Sequence, residues 1–260
     1  MLIRTLDEVA RGLTIRYFVI GATARDIVME HVHGLDTARA TRDIDFAVAV
    51  SSWDEFDQLK TRLTATGQFF ATATTHRLTF GEERGAYPLD LVPFDGVEKD
   101  GAIAWPPKGD FVMNVAGYAD AYRSALDIEI EPGFQVKILS LPAMAVLKIL
   151  AWNDRPDRDK HPSDVLLILR SYHQAGQENR LYAEAIDLLE RYGYDIELAG
   201  AALLGRDAGR DIVQDARLQV MRVLANDRNA DKFIAQMTRS HPAPVEHATR
   251  LLQAFLDNIA

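Results

Sequence analysis

Two aspartates separated by one residue, Asp43 and Asp45 in the run Arg42-Asp-Ile-Asp-Phe46, are the first residues whose type and spacing suggest chemistry. In an extended strand alternate side chains share a face, so both carboxylates project into one small volume while Ile44, Phe46 and Val48 share the other face. Like charges placed together are unfavourable unless a cation or solvent compensates, and hard oxygen ligands suit Mg²⁺ or Mn²⁺. The ordinary alternative is an edge strand with both carboxylates in water, and the tripeptide by itself does not choose between them.

A second element lies about twenty residues upstream, a spacing typical of one strand–turn–helix unit. Gly21-Ala22-Thr23-Ala24-Arg25 sits between a strand-like and a helix-like segment, where backbone N–H groups can hold phosphate, glycine permits close approach and Thr23 can donate a hydroxyl. A turn glycine with Thr23 as helix cap is the structural alternative. A dinucleotide site would want three glycines here, and the segment offers one.

A third carboxylate is expected from a neighbouring strand. Leu89-Asp90-Leu91 sets one charge opposite two apolar residues and makes Asp90 the candidate metal ligand and general base; Asp95, beyond Pro93, is the fallback. Three carboxylates suit a two-metal arrangement. Lys148 lies on a strongly apolar helix, Leu141 to Trp152, and needs an acidic or phosphate partner unless it snorkels or serves the helix C-terminus. Asp164 precedes the apolar run Val165 to Leu169 and could serve a helix N-terminus, while Lys160 in the charged loop reads as solvated. His31 and His33 point to different helix faces and read as surface residues, not a zinc site.

Stepping through the elements that must position these residues, a short helix is expected over Leu6 to Leu13, a buried strand over Arg16 to Ile20, and a helix from Thr23 to about His33 stopped by Gly34. Arg42 to Val50 reads as a strand entering a core, with Ser51 capping a helix from Trp53 to about Thr66 that ends at Gly67. Strands follow at Phe69 to Ala73, His76 to Phe80 and Tyr87 to Phe94, with Gly81 to Gly85 as a hairpin turn. Irregular chain spans Asp95 to Gly109, and Ala125 to Ile130 with Phe134 to Ile138 forms a hairpin around Pro132-Gly133. From Ser140 onward the pattern is helical, with breaks at Asn153 to Ser163, Ala175 to Gln177, Gly193, Gly205 and Ser240 to Pro244. The expectation is two domains, 1–139 and 140–260.

The chain's 48% apolar and 26% charged residues describe a folded protein rather than a disordered or fibrous one. A net charge of −9 argues against broad, charge-driven binding to DNA or membrane. The absence of cysteine excludes disulfides, thiolate zinc sites and thiol nucleophiles. No stretch is apolar enough to span a bilayer and the first residues lack a signal-peptide core, so the expected location is cytoplasmic.

Taken together, Ile20-Gly-Ala-Thr-Ala-Arg25, Arg42-Asp-Ile-Asp-Phe46, Leu89-Asp-Leu91 and the Lys148 to Asp164 region resemble the DNA polymerase β-like nucleotidyltransferases, in particular the AbiEii/AbiGii-type toxin group, over roughly Tyr17 to Leu169. The resemblance implies an α+β fold, a mixed sheet with flanking helices followed by a C-terminal helical lobe. It implies transfer of a nucleoside monophosphate from an NTP to an acceptor such as tRNA, a protein or a small molecule, with pyrophosphate released. Gly21, Ala22, Thr23, Arg25 and Lys148 would bind the nucleotide, Asp43, Asp45 and Asp90 the metal, and Lys148 with Asp164 would serve catalysis. An antitoxin protein is the implied partner. Two departures stand out: Ala22 replaces the usual second small residue of the turn, and the last signature reads Asp159-Lys-His-Pro-Ser-Asp164. An antibiotic-modifying transferase and a catalytically silent nucleotide-sensing module are the alternatives.

Overall fold

In the computed structural model, residues 1–37, 43–81, 85–239 and 243–259 are described. Arg42, the middle of the expected turn at 82–84, and 240–242 of the last expected break lie outside them. The chain forms two compact units, Met1–Ile27 with Ala38–Leu139, and Val28–Thr37 with Ser140–Ala260.

The first unit is built on strands β1 (Arg16–Ile20), β2 (Ile44–Val50), β3 (Phe69–Ala71), β4 (Arg77–Phe80), β5 (Tyr87–Asp95), β6 (Ala102–Ala104), β7 (Val112–Asn114), β8 (Leu126–Glu131) and β9 (Phe134–Ile138). Among the described residues, seven of these form one mixed sheet in the order β3-β4-β5-β2-β1-β9-β8, and β6 with β7 makes a separate hairpin. The centre is an antiparallel β1–β2 pair and a parallel β2–β5 pair. Helices α1 (Leu2–Gly12) and α3 (Trp53–Ala65) pack with β1 and β2, and the apolar set Val19, Phe46, Val48, Leu89 and Leu91 is buried by alternation on one face. Tyr17, on that face, donates its hydroxyl to Asp7 of α1 at 2.9 Å, and burial raises the phenol's pKa.

The opposite face carries Phe18 and Phe94; Phe18 makes edge-on contacts with Phe94 and with Tyr122 of α4 (Tyr118–Arg123), and Phe94 packs at a tilt on Tyr122. No helix was expected at α4, whose six residues are too few to show a helical period. Likewise β6 and β7 lie partly within chain that reads as irregular. The cap of α3 is Ser52, whose side chain accepts from the Glu55 backbone N–H, while the expected cap Ser51 instead bonds the Glu55 carboxylate with both its N–H and its hydroxyl.

Helix α2 (Gly21–Asp26) continues without interruption as a π-helical stretch, Ile27–Val32, so the helix expected from Thr23 begins two residues earlier. The second unit is helical: α5 (Leu141–Asp154), α6 (Lys160–Ser171), α7 (Glu178–Ala183), α8 (Ile186–Arg191), α9 (Ile196–Asp211), α10 (Gln214–Leu224), α11 (Asp227–Met237) and α12 (Val245–Leu256). Helix α5 is apolar nearly all round, as a central helix must be, and its Trp152 indole donates to Gln236 of α11 at 2.7 Å.

Gly205 does not break a helix. Helix α9 runs through it, and a side chain is excluded there because a Cβ would lie 2.3 Å from the Phe255 carbonyl oxygen of α12. The glycine permits a close helix–helix approach, which local sequence cannot distinguish from a stop signal.

Candidate active site

Strand β1 ends at Ile20 and the chain turns at Gly21, whose φ of +69° lies in the left-handed region. Ile20 is the register partner of Asp45 across the β1–β2 pair. A Cβ on Gly21 would sit 2.1 Å from Asp45 Oδ2, so the glycine is required twice, by its backbone angle and by the carboxylate lying against it. Thr23 Oγ1 donates to the Asp43 carbonyl at 2.9 Å. The hydroxyl expected to face phosphate therefore ties the turn to the residue that leads into β2. Ala22 between them is half-buried.

Asp43 is exposed just before β2, and Asp45 is half-buried within it. In the parallel β2–β5 pair Asp45 stands opposite Asp90, so these two side chains share a face of the sheet. Asp95, the other candidate for the third carboxylate, pairs with Val50 instead and forms an ion pair with Arg16 at 2.8 Å. It lies roughly 16 Å further along the strand, at about 3.3 Å per residue, at the end remote from Asp45. Asp90, not Asp95, stands beside Asp45.

Asp90 does not stand alone. Its register partner on β4 is Arg77, whose Nε and Nη2 reach the two carboxylate oxygens at 2.7 Å each, the bidentate fork that a guanidinium and a carboxylate form best. The hydrogen bond to Asp90 is the main cause that raises the Arg77 pKa above its usual value, against the lowering effect of burial, and the charges of Asp90, Asp43 and Asp45 add to it. Arg77 is thus a cation that faces the carboxylate group. The expected hairpin around Gly81 to Gly85 sets the strand holding Arg77 beside the strand holding Asp90, but counting outward from its centre at 83 pairs 77 with 89, one residue off the observed register.

Among the described residues no group of three or more His, Asp or Glu side chains is disposed to hold a metal ion. Both Asp90 oxygens accept from Arg77, so a cation or a proton taken up there shares the carboxylate with the guanidinium. Asp43, Asp45 and Asp90 fit a hard divalent cation by donor type, and Asp45 and Asp90 also share a face of the sheet.

Arg25, expected at the nucleotide, is 1% exposed, and its guanidinium bonds Asp26 at 2.5 and 2.8 Å. Its charge is met inside the first unit.

In the second unit, Lys148 of α5 donates to Asp164 Oδ2 at 2.5 Å, with side-chain exposures of 9% and 8%. Helix α6 begins at Lys160, so Asp164 lies in its second turn and is the partner of Lys148, not a first-turn residue as expected. His161 lies near this pair, and its Nδ1 is buried without a hydrogen-bond partner. Burial first, then the positive charges of Lys148, Lys160 and Arg158, push its pKa down to about 3 against the opposing effect of Asp164, so the ring is neutral. Of the expected surface histidines, His31 is exposed and His33 is partly buried against Gly176.

The fold is thus α+β, with a mixed sheet that sets Asp45 beside Asp90 and closes the Gly21 turn against Asp45. The family model described as the nucleotidyl transferase AbiEii toxin of type IV toxin–antitoxin systems matches residues 4–257, and the chain belongs to this family. No curated protein matches the chain. Among solved structures, the solution structure of the antibiotic-resistance factor ANT(2'')-Ia is similar at 16% identity and a TM-score of 0.41, over 74% of this chain and 95% of that one. No described helix is long and apolar enough to cross a membrane.

Proposed function

We propose that the protein is a metal-dependent transferase that moves a nucleoside monophosphate from an NTP to a hydroxyl-bearing acceptor, RNA or protein, and acts as the toxin beside an antitoxin partner. The reading rests on family membership for the reaction class and on one geometric observation for the site: Asp45 and Asp90 face the same side in register, and Asp45 lies against Gly21. Asp43 and Asp45 would hold Mg²⁺ or Mn²⁺, with Asp90 as third ligand. The bound cation would supply charge neutralisation at the phosphates.

In the transfer, the acceptor oxygen forms a bond to the α-phosphorus, the bond from that phosphorus to the pyrophosphate oxygen breaks, and the acceptor proton passes to a carboxylate of this face. Asp90 is the assigned base. Gly21, Ala22 and Thr23 shape the turn that meets the nucleotide, and Arg25 supports that turn from within. Lys148 and Asp164 are assigned to catalysis and nucleotide binding on the resemblance, and their short mutual ion pair supports treating them as one functional unit.

The Arg77 fork on Asp90 favours a second reading, a catalytically silent nucleotide-sensing module that keeps the fold. One experiment separates the two. The chain is incubated with each labelled NTP, divalent metal, and in parallel RNA, protein and an aminoglycoside, and the labelled species is identified on a gel. Transfer that disappears in Asp43→Ala/Asp45→Ala while the variant keeps its wild-type circular dichroism supports the enzyme. Transfer retained in the double variant overturns the site, and binding of metal–NTP without transfer to any acceptor selects the silent module.

A further inference from the structure

We infer that Arg77 is a built-in counter-cation that competes with the divalent metal for Asp90, so that this one side chain sets how tightly the site takes its metal. The inference rests on the carboxylate site proposed above.

Asp90 is paired by register to a carboxylate on one side, Asp45 of β2, and to a guanidinium on the other, Arg77 of β4. Asp45 and Asp90 in register on one face, with Asp43 just before the strand, would repel in the absence of any cation, which costs folding free energy. The Arg77 charge is felt by all three, and its fork fills both oxygens of the one in the neighbouring strand. The side chains of Arg77 and Asp90 are 37% and 16% exposed, so the guanidinium can swing toward solvent or toward a phosphate without crossing packed core. A cation that takes Asp90 must share the carboxylate with that guanidinium or displace it, and either way the positive charge of Arg77 subtracts from its apparent affinity. Arg77 is a positioning residue in this account: it touches Asp90, not the reacting atoms.

The test measures Mn²⁺ binding to the full chain by calorimetry and by the spin-resonance signal of free Mn²⁺, with no turnover involved. Arg77→Met removes the charge and the fork while keeping a long side chain, and Mn²⁺ should bind it about tenfold tighter than wild type, the scale of one charge-assisted bidentate pair partly screened by water. Arg77→Lys keeps a point charge without the fork and should fall between the two. If Arg77→Met does not fold without metal, Arg77→Lys alone carries the comparison. Equal or weaker Mn²⁺ binding in the variant that folds overturns the inference. Asp43→Ala/Asp45→Ala keeps the two failures apart: Mn²⁺ binding unchanged there removes the carboxylate site itself, whereas binding lost there but unmoved by Arg77 substitution removes only the competition.

Discussion

The molecule holds two aspartate–cation pairs that look alike on paper and differ in what surrounds them. Arg77–Asp90 is partly in water on the face of a sheet, beside two further aspartates. Lys148–Asp164 is almost wholly enclosed between α5 and α6, beside a neutral histidine. Water screens the first pair, so its members can exchange partners at modest cost. The second pair has no such freedom, because parting it leaves a charge in apolar surroundings. One is suited to switching and the other to holding a charge fixed.

The largest expected effect breaks the first region's chemistry: Asp43→Ala/Asp45→Ala should abolish nucleotide transfer, measured with labelled NTP, with the melting temperature unchanged or raised because repulsion is relieved. Next is the enclosed pair. Lys148→Met should destabilise the protein by about 3–5 kcal/mol in urea unfolding, since the buried Asp164 would lose its lysine, whereas Lys148→Met/Asp164→Leu should be the less damaged of the two. Equal damage in the single and double variants would show that the buried Asp164 carboxylate is stabilised without Lys148.

Gly21→Ala comes third, at about 3 kcal/mol, because the new methyl meets Asp45 and the backbone angle resists it. Removing the Asp45 carboxylate as well should relieve the closest contacts, leaving the Cβ at 3.1 Å and the backbone angle. Gly21→Ala/Asp45→Ala should therefore recover part of that stability and none of the activity.

The smallest effect concerns pH. The folded pKa of His161, about 3, lies below its ordinary value near 6.5, so the unfolded chain binds the extra proton first. Its contribution is complete above about pH 6.5 and is lost as the pH falls toward the folded value, with a slope of up to ~1.4 kcal/mol per pH unit. His161→Gln should flatten the stability profile measured by urea unfolding between pH 6 and 4. An unchanged slope would mean the imidazole is not held neutral.

What the sequence reveals follows the range of each interaction. The β1 strand, the Gly21 turn and the Asp43–Asp45 strand are readable because alternation and a glycine are local facts, and the hairpin β8–β9 is readable for the same reason. Asp90 is readable as a lone charge in an apolar run, but its neighbours are not, since Arg77 and Asp45 meet it only through strand register. Gly205 misleads for a similar reason: the contact that demands a glycine comes from α12, about fifty residues away along the chain. The Lys148–Asp164 pair lies between these cases. The buried lysine signals a need for a partner, yet composition alone cannot say which acid of the charged loop supplies it.

The segment Val28–Thr37 is counted with the helical unit although chain on both sides of it builds the sheet unit. Its Val28 and Met29 are buried. A polypeptide cut between Leu139 and Ser140 therefore would not yield two self-sufficient halves: the N-terminal piece would carry a ten-residue strip whose packing surface is in the other piece. Two such fragments are expected to be poorly soluble apart and to recover structure only on mixing, so the divided gene would behave as a complementation pair.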